Sequence, residues 1–239
     1  MKFLTLSLML YLLLTSTSAG EADDECTYSL EQHPGTSINL DGRLDEEAWR
    51  QVPREDRFAF PWREELTPAT SFRAFLTEHT LYFAFEAEDS QVTKGEGEGE
   101  RAVERGDRVE IFFSLDAELE RYFSVEIDPW SRILDYSASH YRQFDQDWDL
   151  PGLQAQAAIG PGGYTVEAAI PVSSLTGFGI EALRNGSHII AGLFRAEFSP
   201  GADQQVLEKW ISWCTPASET PDFHIPSAFG VFVVSGEQD

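Results

Sequence analysis

The sequence predicts an all-β fold, an antiparallel β-sandwich of about ten strands with short helical connections. Three observations carry this reading. Apolar and polar residues alternate with period two in segment after segment, turn-forming residues separate those segments at short intervals, and no long stretch repeats with the 3.6 period of a helix. The chain has 239 residues, 42% of them hydrophobic and 13% aromatic, which suffices for one packed domain.

Residues 1–19 read as an export signal rather than as part of the fold. Lys2 is followed by an apolar run from Leu4 to Leu14 and by the small residues Thr17-Ser18-Ala19. The run is too short to span a bilayer, so membrane insertion is not expected. Residues 20–35 read as an acidic, irregular lead-in, and residues 36–239 as the sandwich domain.

Within that domain, Ser37 to Leu40 alternates briefly and ends at the turn dipeptide Asp41-Gly42. Asp45 is placed to cap a short helix that Trp49 would pack down. Phe72, Ala74 and Leu76 form one strand face, and Leu81, Phe83, Phe85 and Ala87 the next, a hairpin signal with its turn at Glu78-His79. Val109, Ile111, Phe113 and Leu115 alternate with Arg108, Glu110, Phe112 and Ser114. Phe123, Val125 and Ile127 alternate with Tyr122, Ser124, Glu126 and Asp128. Tyr164 to Ile170 follows the Pro161-Gly162-Gly163 turn, and segments 188–198, 207–213 and 229–234 complete the set. Short helices are expected at 172–176 and near 181–183. Gly95 to Glu100 alternates glycine with glutamate and reads as a mobile acidic loop, since those glutamates would repel a pyrophosphate.

Charge excludes some functions. Lys and Arg number 17 against 41 Asp and Glu, a net −24, and such a surface repels both nucleic-acid phosphates and anionic lipid. The chain has two cysteines, Cys26 and Cys214, which an oxidising compartment would pair. No nucleophile elbow, zinc-helix motif, phosphate loop or Cys-x-x-Cys is present, and the five histidines share no ligand spacing. Asp107, Glu110, Glu126 and Asp128 form the best carboxylate cluster. It is compatible with a solvated face, with acceptors for sugar hydroxyls, with calcium ligands, or with an acid/base pair. Trp62, Trp130, Trp148, Tyr141 and Phe223 stand in polar, turn-like surroundings where a ring could stack on a ligand, whereas Trp49, Trp210 and Trp213 read as core.

The chain carries, in order, Ile38-Asn39-Leu40-Asp41-Gly42-x-Leu44-Asp45-Glu46-x-x-Trp49, Leu81 to Phe85 with Asp89, Asp107-x-Val109-Glu110-Ile111-Phe112, Gly163 to Pro171, Ile211-Ser212-Trp213 and Pro226-Ser227-x-Phe229-Gly230. Together these motifs resemble carbohydrate-binding module family 9. The resemblance covers about residues 36–234. It implies a β-sandwich that binds soluble sugars or glycan chain ends between two aromatic rings, often with structural calcium, beside enzymes of polysaccharide breakdown. Glu110 matches the family's glutamate and Phe223 its second clamping aromatic. The first clamping position reads Val103-Glu104-Arg105, and the family's arginine corresponds to Ser124. A carbohydrate site is therefore expected around Phe223, Glu110, Glu126 and Asp128, with Trp130 as replacement platform. The leading expectation is an exported, periplasmic or extracellular, non-catalytic carbohydrate-binding protein. The alternatives are a small glycoside hydrolase using paired carboxylates and an envelope interaction or cofactor-carrying sandwich; the sequence names no protein partner.

Overall fold

The computed structural model describes residues 26–180, 183–201 and 205–236. The export signal at 1–19, residues 20–25 of the lead-in and residues 181–182 of the short helix expected near 181–183 lie outside the described residues. Among the described residues the strands are β1 (Thr27–Gln32), β2 (Thr70–Leu76), β3 (Thr80–Glu88), β4 (Arg108–Ser114), β5 (Tyr122–Ile127), β6 (Ile133–Ser139), β7 (Gln143–Asp145), β8 (Gln154–Gly160), β9 (Gly163–Pro171), β10 (His188–Pro200), β11 (Val206–Ser212) and β12 (Gly230–Ser235). Helices α1 (Glu47–Gln51) and α2 (Val172–Phe178) are short, and a 3-10 turn covers Glu100–Arg105.

The fold is all-β, but the strictly antiparallel sandwich is corrected. The strands make one curled, mixed sheet in the order β7-β6-β5-β4-β10-β12-β1-β2-β3-β9-β8, with β11 added beside β10. β1 is parallel to both of its neighbours, β12 and β2, and every other pairing is antiparallel. β1 lies where an irregular lead-in was expected. Ser37 to Leu40, which alternates briefly in sequence, is irregular.

Period two sorts β4 and β5 into two faces. Val109, Ile111, Phe113, Phe123, Val125 and Ile127 face the main core. Phe112 and Tyr122 face a second, smaller cluster with Leu134, Tyr136, Phe194 and Phe223. The even-numbered residues that read as outward are therefore covered, and Arg108, Glu110 and Glu126 are all buried. β10 makes this possible. Its first residues pair with β12 and its last with β11, while β4 runs along its other edge. β11 and the chain after it are thereby brought over the second face.

A single buried carboxylate organises the other end of the sheet. Glu167 on β9 accepts the backbone N–H groups of Asp41 and Gly42 at 3.0 and 2.8 Å and the indole N–H of Trp49 at 2.8 Å. Gly42 has φ +79°, and a Cβ there would lie 2.5 Å from the Ala157 carbonyl carbon, so the turn demands glycine. The cap of α1 is Glu46 rather than Asp45, and its side chain makes no cap hydrogen bond. Trp49 holds this one-turn helix instead. The glycine-glutamate loop is anchored, with the carbonyls of Gly95 and Gly97 accepting from Arg132 and that of Glu96 from Arg105.

Cys26 and Cys214 form a disulfide, with Cα atoms 5.6 Å apart across 188 residues of sequence. A closed loop of that length restricts the unfolded chain strongly. Replacing both cysteines by alanine should lower the stability measured by urea unfolding by roughly 2–5 kcal/mol. An unchanged midpoint would show that the bridge does not stabilise the fold.

Candidate functional site

A cavity of about 410 Å³ opens on the second face of the sheet. Its floor comes from three adjacent strands, with Arg108 and Glu110 on β4, Glu126 on β5 and Tyr136 on β6. Phe144 on β7, Trp210 on β11 and the irregular segment Pro221 to His224 form its walls, and Arg101 and Glu104 stand on the 3-10 turn.

The floor is a buried ionic triad. Glu110 and Glu126 lie directly opposite each other in the β4–β5 register. Arg108 Nε donates to Glu126 at 2.6 Å and lies 2.9 Å from Glu110 Oε1. Tyr136 donates its hydroxyl to Glu126 at 3.0 Å. The Arg108 Nη1 donates to the carbonyls of Glu104 and Gly106 at 3.2 and 3.4 Å, and the guanidinium lies 5.5 Å from the Trp210 ring centre. Burial opposes the Arg108 charge, but Glu110 and Glu126 outweigh that effect and hold it charged. Burial, then the negative charge of Glu126, pushes the Glu110 carboxyl up to about 8. Burial likewise raises the Tyr136 hydroxyl well above its ordinary range.

The rim is held by Asp222, which accepts from the Tyr141 hydroxyl at 2.6 Å, the His224 amide at 2.9 Å and Arg142 Nη2 at 3.0 Å. Burial alone would raise Asp222, but these donors overcome it and hold the carboxyl low. His224 shares a hydrogen bond of 2.9 Å with the Tyr122 hydroxyl. Burial, then Arg142, pushes its imidazole down to about 4, so it stays neutral at ordinary pH.

The structure brings three of the five expected site residues together. Glu110, Glu126 and Phe223 line the cavity; Asp128 and Trp130 do not. Asp128 organises a turn, accepting from the amides of Trp130 and Arg132 at 2.9 Å each and from Arg132 Nε at 2.6 Å. Trp130 lies with the Lys94 ammonium 5.3 Å from its ring centre. Phe223 is only 6% exposed, and one of its faces is stacked on Phe194 at 4.1 Å. Trp62 and Trp210 approach it at 5.9 and 5.8 Å, so it presents an edge rather than an open face. The more accessible rings are Trp210, read as core in the sequence, and Phe144, 38% exposed. Asp107, fourth member of the sequence cluster, accepts the amides of Thr93 and Phe198 and ties the acidic loop to β10.

For calcium, the closest donor set among the described residues is Glu100, Asp135 and Asp149, whose carboxylate oxygens lie within 4.8 Å of one another. Hard oxygen donors suit calcium, which takes six to eight, so these three residues would supply part of a shell. No helix among the described residues is long and apolar enough to cross a membrane.

Comparisons with known proteins agree with this architecture. The family model described as "Carbohydrate family 9 binding domain-like" matches residues 40–237. A proposed carbohydrate-binding protein from Bacteroides uniformis superposes with a TM-score of 0.69 at 17% identity, covering 88% of this chain and 99% of that one. A carbohydrate binding module family 9 protein from Caldicellulosiruptor kristjanssonii, in complex with cellotriose, gives 0.60 at 16% identity, with 89% and 95% covered. A family 9 module from the same organism in complex with glucose gives 0.54 at 19%, with 89% and 96% covered. At these identities the likeness is one of fold. A comparison with curated proteins finds no significant match.

The raised Glu110 carboxyl has a measurable consequence. Its folded value lies above the unfolded one, so the native chain keeps a proton that the unfolded chain releases. That stabilisation is complete below about pH 4.3, the ordinary glutamate value, and is lost as the pH rises through about 8. Glu110→Gln should therefore flatten the decline of Tm between about pH 5 and about pH 8. Parallel curves for variant and parent would contradict the assignment.

Proposed function

The chain belongs to the carbohydrate family 9 binding domain-like family, and on that premise we propose that its second-face cavity binds the hydroxyl-rich end of a glycan without cleaving it. One observation carries the reading: Glu110 is 2% exposed, lines the cavity, and its Oε1 receives no hydrogen bond. A buried carboxylate oxygen that has only the ion pair with Arg108 and no hydrogen-bond donor is unfavourable, and a ligand rich in hydroxyl groups supplies one. Trp210 and Phe144 offer apolar surface for the carbon face of a sugar ring, and Tyr136 and Arg142 offer polar groups around it. Phe223 supports this wall from behind, while Asp128 fixes the β5–β6 turn by accepting from the Trp130 and Arg132 amides.

Export is part of the proposal. The 1–19 segment reads as a signal, and a disulfide together with a carbohydrate-binding module fits an extracellular or periplasmic protein. The role that follows is capture of soluble sugars or chain ends during polysaccharide breakdown.

A glycoside hydrolase is the second reading, favoured by two adjacent carboxyls of which one is raised and the other hydrogen-bonded. Against it, Arg108 Nε lies within 2.9 Å of both carboxyls and ties the pair to one shared cation. Incubation with xylan, cellulose and aryl glycosides should release no product. Product that disappears in Glu126→Gln would establish the hydrolase instead.

A glycan array on the purified protein, run with calcium and with chelator, tests binding. On the array's tightest ligand, Trp210→Ala should lose roughly 1–3 kcal/mol, by analogy with nucleic-acid bases on aromatic rings, or about 5- to 150-fold in affinity. An array without hits, or full affinity in both Trp210→Ala and Phe144→Ala, would overturn the proposal.

A further inference from the structure

The cavity floor sets two carboxyls against one cation. Glu110 and Glu126 both reach Arg108 Nε, at 2.9 and 2.6 Å. That nitrogen carries one proton, and Glu126 receives it. Glu126 is also supplied by Tyr136, while Glu110 Oε1 is left without a donor. The remaining charges around the floor occur as pairs. Arg101 and Glu104 on the 3-10 turn are 3.2 Å apart, and Arg142 before β7 lies 3.0 Å from Asp222. His224, from the segment before β12, is neutral, and the Tyr136 and Tyr122 hydroxyls remain protonated. One negative charge is therefore in surplus among three buried side chains, and a proton on the glutamate pair removes it.

We infer that a neutral, hydroxyl-bearing ligand expels a proton from the Glu110–Glu126 pair when it binds, which makes capture and release in this cavity pH-dependent. The inference rests on the carbohydrate reading and adds a ligand class and a regulation to it. A hydroxyl group donating to Glu110 provides the hydrogen bond that its Oε1 lacks, and so favours the ionised form over the protonated one. An anionic sugar would act in the opposite sense, because its own charge beside the pair would retain the proton. The raised Glu110 carboxyl agrees with a pair that is protonated in the free protein at neutral pH. Linkage then requires affinity for the neutral sugar to fall as pH falls, approaching about tenfold per pH unit for one proton.

Titration calorimetry of the whole protein at about pH 7, in buffers of different ionisation enthalpy, counts the protons exchanged. The probes are glucose and cellotriose, with glucuronic acid as the anionic comparison. Release approaching one proton per bound glucose or cellotriose, with affinity rising from about pH 5.5 to about pH 8, is the expected result. Binding of either sugar with no proton exchanged and a flat pH profile overturns the inference while leaving the carbohydrate reading intact. Proton uptake on binding overturns it too, as does an absence of heat with all three probes. An array without hits, by contrast, removes the carbohydrate reading itself. Glu126→Gln provides the second measurement. It leaves one carboxylate for one guanidinium, so Glu110 should be ionised before the ligand arrives and binding should release no proton. Undiminished release in that variant would place the proton elsewhere.

Discussion

Burying the Arg108 guanidinium on the second face of the sheet is the constraint from which much of this half of the molecule follows. A charge out of water must be matched by partners from every direction. Glu110 comes from the same strand and Glu126 from the next, in register. The carbonyls of Glu104 and Gly106 require the 3-10 turn to end where it does, and Tyr136 requires a third strand. Trp210 lies over the guanidinium from β11, the strand carried across this face by β10. Strand register, turn position and the β10 crossover are thus tied to one side chain.

The same constraint explains why the cavity survives as an opening rather than collapsing into core. An apolar residue at 110 or 126 would allow the wall residues to close down on Phe112 and Tyr122. Two carboxyls with one cation between them instead need polar company, and only part of it comes from the protein. The aromatic wall is self-supporting, because Phe223 stacks on Phe194 and braces Trp62 and Trp210. A ring so tightly held is a poor clamp and a good buttress, and the exposed ring surface passes to its neighbours.

Alternation at 108–115 and 122–128 assigned each side chain to the correct face, because a strand's period of two leaves no other choice. It did not tell that the even-numbered face is covered, since the cover includes the irregular Pro221 to His224 segment, whose position is set by tertiary contacts. Trp210 read as core for the same reason. Glu110 and Phe223 were legible through the motif resemblance and Glu126 through its place in the carboxylate cluster on the next strand, while Asp128 and Trp130 were placed nearby by sequence order although the turn aims them elsewhere. β1 escaped notice because Thr27–Gln32 holds just two fully covered apolar residues, Tyr28 and Leu30, and owes its place to two parallel neighbours far away in sequence. β6 was legible in principle, since Leu134, Tyr136 and Ala138 alternate with Asp135, Ser137 and Ser139, but this short alternation was passed over. The mixed character of the sheet could not be read locally at all, since strand direction is a property of the whole path.

The parallel pairing of β1 with β12 has a mechanical side. Five residue pairs link them, from Thr27 beside Val231 to Glu31 beside Ser235, so residues 27 and 235 stand at opposite ends of the pair. Tension drawn between those two points runs along the strands and strains all five pairs together. An antiparallel pair pulled from adjacent ends would instead peel open one contact at a time. The disulfide at Cys26 adds a second route for the load, directly to Cys214 beyond β11. The centre of the sheet is thus a tensile element, stiff along its strands and weaker across them.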